Sequence, residues 1–465
     1  MTTETPGGHA VTPMARIAGD EPSAAHPLLE PNLAHALGRV RAGPDARTAA
    51  RFAAAQFVLG GGRSDVAALR AWSRRHWWAS TVQRRGRAGA VLALLKTPAR
   101  LARDAALAVR TYGPACEAVH GVSPRAQYAR LLWLSLTRGV IAESFYDFWL
   151  FRPERRRRAR QYLQWHEAAV LYRVLAAREA ADDFAVLEDK RRFAGWCHEH
   201  GLPTAPVLAE FRDGAPVVPD GSLALPERDL FSKPTDQYGG AGIRRWRHVG
   251  AGQWVEHDTG VAHSGEALLA ALAAQSRAGP VIVQPALANH AAVRPLAPEA
   301  LCTLRLLTAR APDGAPEVTL ATFRTGSGGS ASDNFSSGGI AVSVDLASGR
   351  LRRGVRRDER QMIVSVDAHP DTGVAFEGFA LPQWEEAKTL ALAAHARLRA
   401  MAFVGWDVAF TDAGLVLLEG NFNPGVRIVQ AGWGVPLGET NYLRYLDAHL
   451  RRSFARDAGV ASAGR

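Results

Sequence analysis

The stretch GWDVAFTDAGLVLLEGNFNPG, Gly405 to Gly425, constrains this chain more than any other. Asp407 stands in one apolar run, and Glu419 and Asn421 close the next. Between them Thr411-Asp-Ala-Gly414 has the composition of a turn, because Asp and Gly tolerate the backbone angles a turn requires. The spacing predicts a hairpin that brings Asp407 close to Glu419. Glu419 and Asn421 are two apart, so an extended strand points them to one side. Three oxygen donors then converge. Hard oxygen donors suit Mg²⁺, which takes few protein ligands and leaves room for phosphate oxygens. A carboxylate closing a run as apolar as LVLLE needs a partner in any case, since an unpaired buried charge is costly.

The rest of the sequence bounds the class of protein. A length of 465 residues suggests two or three domains, and 47% hydrophobic with 22% charged residues is a globular composition. No run of about 18 uninterrupted apolar residues predicts a transmembrane helix. The start, MTTETPGGHAVTPMARIAGDEP, lacks a basic segment followed by an apolar core, so no secretory signal is expected. Cys116, Cys197 and Cys302 are scattered and odd in number, which fits a reducing cytoplasm. The net charge of +11 and pI of about 10.1 favour anionic partners such as nucleotides or phosphorylated substrates. Of 56 basic residues only Lys96, Lys190, Lys233 and Lys388 are lysine. In so arginine-rich a chain, a retained lysine marks a place where a compact ammonium is wanted.

Residues 1–48 are rich in Pro, Gly, Ala and His and read as a flexible leader. Residues 49–185 read as helical, with apolar residues at helical spacing in DVAALRAWSRRHWW, LARDAALAVRTYG and ARLLWLSLTRGVIAESFYDFWLF. PERRRRARQYLQW, residues 153–165, reads as a helix start with a dense basic face. That face is either solvated or a contact for an anionic surface at the inner side of a membrane. From about residue 186 strand-like runs alternate with helices: TAPVLAEF, DLFSKP, PVIVQPAL, LCTLRLLTAR, VTLATFR, GIAVSVDL, VGWDVAF and LVLLEG. Short turns between them predict an α+β fold with mostly antiparallel sheets.

Three further constellations carry chemistry. In DLFSKPTDQYGGAGIRRW a strand ends on Lys233 and is followed by Gly239, Gly240 and Gly242, a loop able to close over phosphates and offer backbone N–H groups. It is not a Walker loop. PVIVQPALANH is an apolar strand ending on Gln284, whose amide could read an adenine edge. ATFRTGSGGSASDNFSSGGIAV joins Arg324 to Asn334 through a mobile-looking loop, which suits a transferring phosphoryl group.

In this order the pieces resemble an ATP-grasp domain, with Lys190 at a helix start, Lys233 and its glycine loop, the Gln284 hinge, Arg324 with Asn334, and the Asp407, Glu419, Asn421 set. The end GWD…LLEGN-x-N-P-G is similar to that of D-alanine and glutamate ligases. TLRLLT, DNFSSGGIAVSVDLASG, HPDTG and GWDVAF resemble the sugar-transfer-associated ATP-grasp group more narrowly. The resemblance covers about residues 186–450. It implies two α+β lobes clasping ATP, residues 186–285 and 286–450, with a tail at 451–465.

The resemblance also implies chemistry. ATP would phosphorylate a carboxylate to an acyl phosphate, and an amine would displace phosphate to form an amide. Lys190 and Lys233 would hold phosphates under a flap of Gly239, Gly240 and Gly242. Gln284, Leu287 and Leu418 would meet adenine. Asp407, Glu419 and Asn421 would hold one or two Mg²⁺ ions, or Mn²⁺. Arg324, assisted by Asn334, would stabilise the transition state. Arg305, His369 and Arg427 are candidates for the substrate. Small-molecule acid and amine are the expected partners, and nucleic acid is not. At the hinge, Pro285 lacks the N–H that another residue would offer adenine. Two other readings stay open: a phosphotransferase on the same fold, and a non-catalytic partner protein at a membrane surface.

Overall fold

The computed structural model describes residues 67–463, apart from 165–174, 176–180, 218–222, 238–241, 298–299, 313, 329–332, 334, 336–337 and 360–361. The expected leader lies outside the described residues. The helical region comprises α1 (Ala67–Leu95), α2 (Thr97–His120), α3 (Pro124–Arg138), α4 (Ala142–Asp147) and α5 (Pro153–Arg157). Its boundaries follow capping chemistry. Gly121 and Gly139, at φ 65° and 66°, end α2 and α3 in the left-handed conformation. Ser123 caps α3 by accepting from Ala126 N, with Pro124 at the first helical position. The basic stretch from residue 153 is a helix of only five residues followed by a 3₁₀ turn. Part of its charge is used internally. Arg155 lies 5.1 Å above the Trp149 ring, and Arg158 forms a two-pronged pair with Glu439 at 2.6 and 2.5 Å. No helix among the described residues is long and apolar enough to cross a membrane.

After α6 (Ala181–Glu188) and α7 (Lys190–Glu199) the chain builds a first antiparallel sheet. Its strands are β1 (Ala209–Arg212), β2 (Ala215–Pro216), β3 (Leu230–Pro234), β4 (Arg244–Gly250), β5 (Gln253–Glu256), β6 (Ala262–Ser264) and β7 (Val281–Pro285), in the order β2-β1-β7-β3-β4-β5-β6. Helix α8 (Gly265–Ser276), capped by Ser264, packs Leu268 and Leu272 against Phe211, Trp246 and Trp254. The sequence expectation of a strand through TAPVLAEF holds only from Ala209. Thr204 instead makes a single parallel bridge to Leu417, and Leu417 N donates to Pro203 O at 2.8 Å, which ties the start of this lobe to the far sheet. Strands β4 to β6 escape a hydrophobicity reading because RRWRHVG alternates arginine, not alanine or threonine, with its buried tryptophan.

The second sheet has the order β12-β11-β10-β9-β8-β13-β14, again antiparallel throughout. Its strands are β8 (Thr303–Arg310), β9 (Pro316–Thr325), β10 (Ile340–Val344), β11 (Leu351–Arg357), β12 (Ile363–Val366), β13 (Phe403–Thr411) and β14 (Gly414–Asn421). Helices α9 (Trp384–Arg397), α10 (Val426–Trp433) and α11 (Asn441–Ala463) complete it. Leu304, Leu306, Phe323, Val342 and Trp406 form its apolar core with Ala387, Ala391 and Ala394 of α9. The helical region is not a detached appendage. Phe145, Phe148, Phe151 and Tyr162 share a second core with Ala341, Val355 and Ile363 of this sheet. Gln430 of α10 rivets the join, donating to Leu163 O and accepting from the N–H groups of Leu163 and Leu437 at 2.7–3.1 Å.

A buried histidine locks α9 to β8. His395 Nε2 lies 2.9 Å from Met401 O and Nδ1 lies 2.7 Å from the Thr308 hydroxyl; in the neutral ring Nε2 donates and Nδ1 accepts. Burial pulls its pKa down to about 4. The unfolded ring takes up a proton near pH 6.5, so the stability from neutral His395 is complete above that value and is lost as pH falls toward 4. Denaturation midpoints measured from pH 7 to 4.5 are expected to fall by about 1.4 kcal/mol per unit below pH 6.5. A His395→Gln variant is expected to lose that part of the slope, and an unchanged slope would contradict the assignment.

Candidate functional site

The β13–β14 hairpin forms as the sequence predicts. Asp407 stands opposite Glu419, Gly405 opposite Asn421, and a bulge follows Asp407. On the other side Asp407 faces Arg305 of β8, and Thr303 of β8 faces Arg324 of β9. Alternation along the strands therefore gathers Thr303, Arg305, Arg324, Asp407, Glu419 and Asn421 on one face, opposite the core face. Gly405 leaves room for this: a Cβ there would lie 2.9 Å from Pro424.

The centre of this face is a charge network. Asp407 is 5% exposed. Its Oδ1 accepts from Arg305 Nε, and its Oδ2 accepts from Arg305 Nη2 and Arg324 Nη2, each at 2.9 Å. Thr303 Oγ1 accepts from Arg324 Nε and Nη2 and donates to Asp333, which itself lies 3.4 Å from Arg324 Nε. Burial pushes the Asp407 carboxyl up, but Arg305 and Arg324 outweigh it and hold it below the usual carboxylate range. Burial likewise works against the Arg324 charge, while Asp333, Asp407 and Glu419 more than restore it.

Glu419 differs from its neighbours. It makes no hydrogen bond or ion pair among the described residues. Asn421 Nδ2 approaches Gly405 O at 3.4 Å, which leaves Oδ1 unengaged. Asp407 Oδ2 takes two donors and Oδ1 one, so one lone pair on Oδ1 stays open. The oxygens open to a cation are thus those of Glu419, Asn421 Oδ1 and one lone pair of Asp407. No group of three or more His, Cys, Asp or Glu able to hold a metal occurs among the described residues. The oxygen set fits a hard cation that takes most of its ligands from phosphate and water.

Lys233 of the first sheet and Lys190 of α7 bring ammonium groups toward this network. Lys233 of β3 lies 5.9 Å from the Phe231 ring centroid. Desolvation lowers its pKa to about 8; Glu419 and Asp333 oppose that, and Lys190 adds to it. Lys190 starts α7 under an Asp189 cap, its backbone N donates to Thr235 O at 3.0 Å, and its Nζ reaches Gln237 O at 2.5 Å. Both lysines therefore border the glycine loop. Gly242 has φ 70°, and a Cβ there would lie 2.8 Å from Pro234 Cγ, so glycine is required on two counts. Gly239, Gly240 and Asn334 lie outside the described residues.

The remaining expected positions fall less simply. Gln284 is buried and donates one Nε2 hydrogen to Ala205 O at 2.9 Å, which leaves its Oε1 and the second Nε2 hydrogen for a base. Leu287 and Leu418 are half-buried. His369 is 1% exposed, donates from Nε2 to Gly326 O at 2.7 Å and accepts from Asp371 N at 3.3 Å. Both ring nitrogens are thereby used in its turn, which leaves none for a substrate and corrects that expectation. Arg305 is committed to Asp407 and to Pro424 O. Arg427 pairs with Asp147. Sequence reasoning missed Asp333, Thr303 and Asp147. Asp333 sits beside the singled-out Asn334, and Thr303 precedes Arg305 by the two-residue strand period, so both had a local signal.

Residues 173–439, more than half of the chain, match the sugar-transfer associated ATP-grasp family, and the chain belongs to it. No curated protein matches the chain. Among solved structures it is similar to D-alanyl-alanine synthetase A from Vibrio cholerae, at 12% identity and TM-score 0.34 over 58% of this chain and 66% of that one. VanG D-Ala:D-Ser ligase from Enterococcus faecalis gives 14% and 0.33 over 58% and 63%. An N5-carboxyaminoimidazole ribonucleotide synthetase in complex with ADP gives 13% and 0.34 over 58% and 59%. The matched stretch thus spans no more than 66% of these chains.

The depressed pKa of Lys233 sets a pH dependence. Its charge is present well below pH 8 and is lost as pH rises through that value. ADP affinity measured by calorimetry is expected to fall above pH 8, by up to about tenfold per unit. A Lys233→Met variant is expected to bind weakly with no such slope. An equal slope in the variant would contradict this role.

Proposed function

We propose that this protein is an ATP-dependent ligase that joins a carboxylate to an amine through an acyl phosphate. The observation that carries this reading is the opposition of Lys233 of the first sheet and Lys190 at the start of α7 to Glu419 and Arg324 of the second sheet and Asp333 in the loop beside it, with Lys233 feeling the charges of Glu419 and Asp333. Ammonium groups on one wall and oxygen donors with a guanidinium on the other are what a polyphosphate needs. We assign residues 186–285 and 286–450 as the two lobes of the cleft.

In this reading Lys190 and Lys233 bind the α- and β-phosphates, and the Gly239, Gly240, Gly242 segment covers them. Gln284 Oε1, Leu287 and Leu418 receive the adenine, with Oε1 accepting from its amino group. Glu419, Asn421 and the free lone pair of Asp407 are the residues that would hold Mg²⁺, which supplies charge neutralisation to the phosphates when bound. A carboxylate oxygen of the acid attacks the γ-phosphorus, and the bond to the β-bridging oxygen breaks to release ADP. The amine nitrogen then attacks the acyl carbon, phosphate departs, and the amine proton passes to solvent. Arg324 lies where charge develops on the transferring group, and Asp407 with Asp333 keeps its planar head oriented. Asn334 assists at the same loop. No covalent enzyme intermediate is needed; positioning and electrostatics supply the catalysis.

The test is ADP and phosphate release with panels of acids and amines. Glu419→Ala is expected to lower turnover by about 100-fold or more and to weaken Mn²⁺ binding in the presence of ADP, read by electron paramagnetic resonance. Asp407→Asn is expected to weaken Mn²⁺ less than Glu419→Ala does, since only one lone pair is available there. Turnover that survives Glu419→Ala would overturn the reading. ADP release with a stable phosphorylated product and no amide would turn it into a phosphotransferase.

A further inference from the structure

Of the candidate substrate residues, Arg427 is the arginine whose guanidinium makes no hydrogen bond among the described residues, whereas Arg305 spends three of its five N–H groups on Asp407 and Pro424 O. Arg427 stands second in α10, two residues beyond Gly425, and its side chain is 30% exposed. Its ion pair runs from Nε to Asp147 Oδ2 at 3.6 Å, so Nε is the nitrogen nearest that carboxylate.

Asp147 closes α4 in the helical region, outside the residues that match the family. Its side chain is 6% exposed. Oδ1 accepts from Arg357 Nη2 at 3.3 Å, and Oδ2 accepts no hydrogen bond. Burial raises the carboxyl, and Arg427 and Arg357 only partly counter it. Two guanidiniums thus share one buried carboxylate. Exposed Glu143 stands in the same field, sensed with them by Tyr112.

This cluster adjoins the phosphoryl-transfer face along two paths. Arg305 Nη1 donates to Pro424 O at 3.3 Å and lies 3.5 Å from a Cβ position on Gly425, two residues from Arg427. Arg357 lies 5.8 Å from the Phe335 ring centroid, and Phe335 is two residues from the Asp333 that pairs with Arg324.

We propose that Arg427 binds the anionic group of the substrate and that Asp147, supplied by the helical region, is a positioning residue that aims it. The proposal rests on the ligase reading of the cleft. A planar guanidinium with free terminal donors recognises a carboxylate or a phosphate with two parallel hydrogen bonds. Asp147 restrains Arg427 through Nε and leaves that fork open. The helical region then forms a wall of the substrate site and contributes to its specificity.

The test uses the full chain with saturating ADP and Mg²⁺, titrated by calorimetry with inorganic phosphate and, separately, with succinate. Saturable binding of one of them is expected, and which one binds identifies the anion. Arg427→Ala is expected to weaken it by roughly tenfold or more, and Arg427→Lys by several-fold. Asp147→Asn is expected to weaken it several-fold even though it removes a competing negative charge, with ADP binding unchanged. Equal or tighter anion binding in Asp147→Asn would overturn the positioning role. If that variant does not fold, Arg427→Lys binding as tightly as wild type overturns the proposal instead. Binding of ADP with neither anion bound also overturns it. Failure of wild type to bind ADP would sink the ligase reading separately, with the anion titrations still read on their own.

Discussion

The buried carboxylate of Asp407 is the constraint on which the active face depends. Placed on β13, between β8 and the edge strand β14, and 5% exposed, it could not stand alone without a large desolvation cost. Arg305 and Arg324 answer it from the adjoining strand and the one beyond. Thr303 and Asp333 in turn complete the donors of Arg324. Each member fixes the next, so the strand register and the orientation of the guanidiniums are set together. A slip of one residue in β8 would turn Arg305 into the apolar core and leave Asp407 unpaired.

Around this nearly saturated centre, the groups left unsaturated are those we propose to meet ligands. Glu419, Asn421 Oδ1, Lys233 and the terminal amino groups of Arg427 sit around the network. A site built this way holds its charges in place before the substrate arrives, which is what electrostatic catalysis in a low-dielectric cleft requires. The same logic explains the contrast between His369 and Arg427. The histidine has a partner for each nitrogen and serves its turn, whereas the arginine has donors to spare.

Much of this was legible in the sequence, for identifiable reasons. The hairpin could be read because a four-residue turn between two apolar runs brings Asp407 close to Glu419, but the bulge that sets Asp407 opposite Glu419 rather than Leu418 left no signal in the sequence. Lys190 and Lys233 stood out because the chain otherwise uses arginine. The pairings of the arginines were not legible, since Arg305, Arg324, Arg357 and Arg427 each had many carboxylates to choose from and only the fold decides. Asp147 was hidden within the apolar run FYDFWLF, where it reads as an interruption of a helix. Its partners lie more than 200 positions away. The strands β4 and β11 were missed because arginine takes the place of the usual polar strand residues.

The central claim is that the two sheets close on one polyphosphate, with Lys233 and Glu419 acting on it from opposite walls. A double-mutant cycle between Lys233→Met and Glu419→Gln, read as ADP affinity in the presence of Mn²⁺, tests it most directly. The account predicts a coupling of about 1 kcal/mol or more between the two positions, as expected for groups that share one ligand. Strictly additive effects would show that the two residues do not meet on the same nucleotide, and would contradict the account.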